Sequence, residues 1–156
     1  MAVKVRTAFY TEKPVWGTRK DGSHVLQRDF NLMATVDYRG TLAEMVFHFK
    51  EGFRCDGLSV PWALRWFLPS WDDSKPIYNL SGAVHDWLYT TGGNYGALTR
   101  EECDDMLRGL IRESGYGRFK AGCADKAVEW FAGGKSHWKN DSYNIADKCV
   151  LTMRIV

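Results

Sequence analysis

The sequence predicts an α+β domain: an N-terminal antiparallel β meander, then three or four helices, then a C-terminal strand that can rejoin the sheet. Three observations lead there. Apolar residues alternate with polar ones up to about Arg54, they recur at helical spacing after Cys55, and alternation returns from Val150 to Val156. With 156 residues, 45% hydrophobic and 26% charged, the chain has the composition and size of one globular unit. No repeat, low-complexity tract or linker divides it, so residues 1–156 are read as a single domain, mainly β over 1–54, mainly α over 55–132, and loop plus terminal strand over 133–156.

Taken in order, Val3, Val5, Thr7 and Phe9 form the first alternating stretch, and Phe30, Leu32, Ala34, Val36 and Tyr38 form the second. Between them, Asp21-Gly22 separates Val15-Trp16 from Val25-Leu26. Such a pair accepts the positive φ that a tight hairpin turn demands. Arg39-Gly40 turns the next strand pair into Met45–Phe49. Beyond Cys55, Pro61 suits the first turn of a short helix with Ser59 as its cap, carrying Trp62, Leu64, Trp66 and Phe67, and Pro69 ends it. A second helix runs from near Pro76 to about Thr90 on the spacing of Ile77, Leu80, Val84, Trp87 and Leu88, with Gly92-Gly93 as its stop. The third opens on Thr99 and Glu102, a capping box, and presents Cys103, Met106, Leu107, Leu110 and Ile111 on one face. A fourth is predicted over Phe119–Phe131.

Composition excludes several functions. Lys and Arg total 21 against 19 Asp and Glu, with the signs interspersed, which disfavours nucleic acid as the main partner. The four cysteines show no C-x-x-C pair and no Cys/His cluster, so free thiols are expected rather than a zinc site. The longest apolar stretches are too short to span a bilayer, and the N-terminus lacks a signal peptide's apolar core. The expectation is a protein made in the cytoplasm, with no transmembrane segment.

Chemistry concentrates after the sheet. On the second helix Tyr78, Gly82, His85 and Tyr89 share one stripe, with Asp86 beside Gly82. A glycine inside a helix costs roughly 1 kcal/mol relative to Ala, so Gly82 implies that another segment approaches closely beside His85 and Asp86. On the third helix Asp104 falls at the rim of the apolar face, where it could accept a ring N–H from His85. Asp105 points roughly opposite and is expected to be solvated. The loop Gly52–Ser59 joins sheet to helices, and Gly57 allows its carbonyls or the Asp56 carboxylate to turn into a site.

The run G-F-x-C-D-G-x-S-V-P, then A-V-H-D-W-L-Y, then R-E-E-C-D, spread over Gly52 to Gly115, resembles a family of uncharacterised proteins common in tailed bacteriophages and prophages. The resemblance implies phage origin, production in the host cytoplasm and a place in the virion as one destination. It implies no activity.

His85-Asp86-x-x-Tyr89, preceded by an Asp-Gly-x-Ser loop and followed by Asp104, is similar to the active-site helix pair of secretory calcium-dependent phospholipases. That resemblance makes His85 the base that activates water, Asp104 and Tyr89 the partners that orient it, Asp86 a calcium ligand, and the loop through Asp56 and Gly57 the calcium loop. Calcium takes six to eight oxygens, which carboxylate, loop carbonyls and water can supply, and it would polarise an ester carbonyl. The cysteines that staple those phospholipases are absent, their places taken by Ser81, Gly82 and Leu88. A shared site geometry is implied more than a shared substrate.

Two functions are therefore carried forward. One is a metal-assisted hydrolase with His85, Tyr89 and Asp104 catalytic and Asp86, Asp56 and Gly57 holding calcium, acting on a host-envelope ester or amide in phospholipid or peptidoglycan. The other is a non-enzymatic virion or assembly component that binds other phage proteins, with His85 and Asp104 merely joining two helices. Trp62, Trp66 and Trp71 suit peripheral membrane contact or simple packing, and His24 and His48 read as ordinary strand residues. A small inhibitor of a host defence protein is a third class.

Overall fold

The computed structural model describes residues 3–58, 68–116, 122–123, 126 and 138–156. In chain order these form β1 (Val3–Phe9), β2 (Trp16–Thr18), β3 (His24–Leu26), β4 (Phe30–Tyr38), β5 (Thr41–Phe49), β6 (Arg54–Cys55), α1 (Pro76–Thr90), α2 (Gly92–Gly96), α3 (Arg100–Glu113) and β7 (Cys149–Ile155). The α+β class holds, and the closing strand does return to the sheet. The expected short helix around Pro61, with Trp62 and Trp66, lies outside the described residues. Of the helix expected over 119–131, only Gly122, Cys123 and Lys126 are described, all three helical.

The main sheet has the order β1-β4-β5-β7, antiparallel throughout. Its inner face follows from the two-residue period: Phe30, Leu32, Ala34 and Val36 of β4 and Ala43, Met45, Phe47 and Phe49 of β5 are all buried. Against them pack Leu80, Val84, Trp87 and Leu88 of α1 and Cys103, Met106 and Leu110 of α3. Phe47 meets the Trp87 ring edge-on with centroids 6.3 Å apart. Each large side chain buried here stabilises the fold by roughly 1.5–3 kcal/mol. Arg39 and Gly40 carry φ of 52° and 84° in the β4–β5 turn, the positive values such a hairpin needs.

The strands of the expected N-terminal antiparallel meander are shared between two sheets, because the Asp21-Gly22 hairpin is continued by β6. His24 pairs with Cys55 and Val25 with Arg54, giving a second sheet of order β2-β3-β6. That pairing sets Asp56 and Gly57 immediately beyond the end of β6.

Helix α1 begins with Pro76 in its first turn, and α3 begins on the expected capping box: Thr99 Oγ1 accepts from Glu102 N at 3.1 Å, and Glu102 Oε1 accepts from Thr99 N at 2.9 Å. Between them α2 is a left-handed turn, with φ between 54° and 75° from Gly92 to Tyr95. A side chain at Gly93 would meet the Leu98 carbonyl oxygen at 1.8 Å, so the reversal joining α1 to α3 requires glycine there.

Asp105 is buried rather than solvated. The helical wheel considered one apolar face of α3, but β1 packs on another, where a Cβ on Gly109 would lie 2.5 Å from Val5 Cγ2. Asp105 accepts the Val3 backbone N–H and pairs with Arg108 at 3.3 Å, while burial pushes its carboxyl above the ordinary value. The four cysteines are free. Among the described residues no helix is long and apolar enough to cross a membrane.

Candidate active site

Helices α1 and α3 pack side by side, and His85 and Tyr89 of the stripe read from the sequence face α3. His85 Nε2 lies 2.8 Å from Asp104 Oδ1, and the Tyr89 hydroxyl donates to the same oxygen at 2.7 Å. His85 and Tyr89, four residues apart, sit one turn from each other with ring centroids 4.2 Å apart. A carboxylate oxygen only accepts, so Nε2 is the donor of this bond, and in the neutral imidazole the Nδ1 lone pair is then left free. Among the described residues Nδ1 has no hydrogen-bond partner. The Asp104 side chain is 5% exposed and that of His85 21%, so the orienting carboxylate is enclosed while the imidazole reaches solvent. Burial first, then the bond to Asp104, raises the Tyr89 phenol and keeps it a donor. Burial likewise pushes the neighbouring Cys103 thiol up to about 12, which removes a thiolate nucleophile from the site.

The other predicted residues gather at the next position along α1. A Cβ on Gly82 would lie 3.4 Å from both the Gly57 carbonyl carbon and the Leu58 side chain, so the segment that Gly82 admits is the Asp56–Leu58 loop. Gly57 has φ of 83°, and a side chain there would meet the Ser70 carbonyl oxygen at 2.4 Å. That same oxygen accepts from Leu58 N at 2.9 Å, which pins the loop. Asp86 is crowded by protein although part of its surface reaches solvent. Desolvation, and after it the Asp56 charge, pushes its carboxyl well above the usual range. The Asp56 carboxylate thus lies near enough for its charge to act on Asp86. Arg54, two residues from Asp56, turns away to an ion pair with Asp21 and a bond to Ser23 Oγ.

The structure therefore brings His85, Tyr89 and Asp104 together as one group and seats the Gly57–Leu58 loop against α1 at Gly82, one turn before Asp86. Among the described residues no three of His, Cys, Asp or Glu converge at metal-binding spacing. A calcium ion would draw two carboxylates from this chain and the rest of its oxygens from backbone and water. A cavity of about 360 Å³ between β1 and α3, lined by residues including Lys4, Arg6 and Asp105, shares none of these residues. Its Arg6 is engaged by Asp37 and its Asp105 by Arg108, so it offers no competing chemistry.

Two contributors lie in the polar stretch after residue 133, which carries no periodic signal. Trp138 meets the Tyr89 ring edge-on at 5.1 Å, and Lys139 N donates to the Tyr89 carbonyl. Tyr143 donates its hydroxyl to Asp56 Oδ2 at 3.2 Å, its ring lying 4.5 Å from the Arg54 guanidinium. The segment is fixed by Asp141, whose carboxylate accepts from Ile145 N and Ala146 N, and by Trp87 Nε1, which donates to the Ala146 carbonyl. His24 stacks on Trp71 with centroids 3.6 Å apart, and His48 bonds Asn31 and Thr152 across the strands, as ordinary strand histidines do.

No curated protein and no solved structure matches the chain. One family model does, over residues 30–128, which takes in β4 to α3 and with them His85, Asp86, Tyr89, Asp104 and the Asp56-Gly57 loop. Since that segment covers more than half of the 156 residues, the chain belongs to the family described as protein of unknown function DUF1353.

Proposed function

We propose that this chain is a phage-encoded hydrolase in which His85 is the general base, acting on an ester or amide of the host envelope such as phospholipid or peptidoglycan. The observation that carries the reading is the pair of donors on Asp104 Oδ1, which fixes the His85 ring from its Nε2 side and leaves Nδ1 on a partly exposed imidazole. A purely structural His–Asp pair has no need of the second donor or of the exposure. Water held at Nδ1 would pass its proton there as its oxygen attacks the carbonyl carbon. The imidazolium would then return that proton to the departing alcohol or amine. General-base assistance of this kind supplies roughly 10²–10⁴-fold.

Asp86 and Asp56 are the residues that would hold a divalent cation, calcium by the chemistry of an all-oxygen set, and the Gly57 turn is what lets their loop approach α1. Such an ion would polarise the scissile carbonyl. The half-buried Trp71, against Gly57, places an aromatic next to the loop, consistent with peripheral contact at a lipid surface.

The test is a cleavage screen of the purified chain on phospholipid vesicles and on peptidoglycan, beside His85→Ala. The wild type is expected to cleave one of them with His85→Ala slower by at least about 100-fold and its circular dichroism unchanged. Should neither substrate be cut, or should His85→Ala cut as fast, the catalytic reading falls and a virion or assembly role replaces it.

A further inference from the structure

The two outer strands of the main sheet are built differently. β1 carries Lys4 and Arg6 and is interrupted by a register shift between Val5 and Thr7, the devices that keep a sheet edge from pairing with another chain. β7 has little of this protection. It follows β5 without a shift from Cys149 to Ile155, and Arg154 is its one charged residue. Among the described residues no strand lies on its far side.

The ladder shows which groups are left over. Val156 N donates to the Leu42 carbonyl and Lys50 N to the Lys148 carbonyl, so the even-numbered residues of this stretch bond β5. By alternation the N–H and C=O groups of Cys149, Leu151, Met153 and Ile155 point the other way. Apolar side chains are left over too: Val150 is 47% exposed on the outer face, and Ile155 is 59% exposed on the inner face, where Met45 and Phe47 of β5 are fully buried.

We propose that β7 is a self-association edge, along which two copies of the chain pair β7 to β7 antiparallel and turn two four-stranded sheets into one continuous sheet. Overlap of all seven residues places the two-fold axis at Thr152. The odd-numbered residues then exchange backbone bonds, with Leu151 opposite the second copy's Met153 and Cys149 opposite its Ile155, apolar against apolar. On the outer face Thr152 meets its own copy. Val150 lies opposite the second copy's Arg154, whose aliphatic stem covers it while its charge stays with Glu44 at 3.3 Å. No like charges are opposed, so the strand is complementary to itself. The pairing uses both β7 edges and leaves only the protected β1 edges, so assembly closes at the dimer. None of this depends on chemistry at His85.

Sedimentation equilibrium of the whole chain over a range of concentrations tests the inference, with Met153→Pro, Val150→Lys and Val150→Glu beside the wild type. Met153→Pro deletes an outward N–H and no bond to β5, the placement at which an edge strand tolerates proline. The wild type is expected to pass from monomer to dimer and no further, and Met153→Pro to stay monomeric with its circular dichroism unchanged. Because position 150 faces Arg154 twice in the dimer, Val150→Lys should weaken association by about 10-fold and Val150→Glu should associate at least as tightly as wild type. A wild type monomeric at every concentration overturns the inference, as does growth beyond the dimer. A dimer indifferent to the sign of the charge at position 150 lies on another surface and overturns it equally. Should Met153→Pro fail to fold, the two Val150 variants, altered only on the exposed outer face, still decide the matter.

Discussion

The two donors on Asp104 Oδ1 differ in what they cost when removed. Tyr89 is buried, so Tyr89→Phe leaves the carboxylate short of a partner where water cannot replace it, at about 1–2 kcal/mol of stability. Because His85 still holds Asp104, the proposed hydrolysis is expected to fall by only about 10-fold in the variant, far short of the loss expected of His85→Ala. Urea unfolding, and initial rates on whichever substrate the cleavage screen identifies, check both figures, and a Tyr89→Phe variant as inactive as His85→Ala would mean that the phenol takes part in the proposed chemistry directly. The residues of this group were legible from sequence to different depths. His85 and Asp104 followed from helical angles, and Gly82 announced its neighbour by lacking a side chain. Tyr89 needed a resemblance to be given its role. Tyr143 left no trace, since its bond to Asp56 joins positions 87 apart through a turn-rich stretch with no period.

Among the elements, α3 shows how local and tertiary signals reinforce each other. Its capping box was readable from Thr99 and Glu102, but the Arg39 side chain that also reaches Glu102, with Nη2 to Oε1 at 2.7 Å, comes from the distant β4–β5 turn. Arg39 foremost, with Thr99 assisting, holds the Glu102 carboxyl below its ordinary value of 4.5. A depressed native value means that the ionised form is favoured by folding. The stabilisation is therefore complete above the unfolded value and is lost as pH falls through the native one. Glu102→Gln is expected to cost about 1–2 kcal/mol at neutral pH, the upper end being reduced by the exposure of Arg39. The gap to wild type should close as pH drops below 4.5. Urea midpoints measured across that range check it, and a gap that widens in acid would refute the assignment. The division into two sheets was not legible, because three-residue strands carry too little pattern to choose between β4 and β6 as a neighbour of β3.

Across the whole molecule, the segment shared with the family is not expected to fold by itself. Residues 30–128 contain β4 and β5 but neither β1 nor β7, the strands that flank them in the main sheet. A chain cut to that segment would bare two hydrogen-bonding edges and the Val3 and Val5 contacts beneath α3. It is expected to aggregate or to show no cooperative unfolding, while the full chain melts in one transition. Light scattering and calorimetry distinguish the outcomes, and a monomeric, cooperatively melting fragment would contradict the account. The sheet order also governs speed. The His48–Thr152 hydrogen bond beside the β5–β7 ladder spans 104 positions, whereas β4 and β5 meet through a two-residue turn. Looping so much chain carries an entropic cost before any contact offsets it. Refolding should accordingly be slow for a domain of this length, with the central hairpin and the helices gathering early and β7 docking in the rate-limiting event.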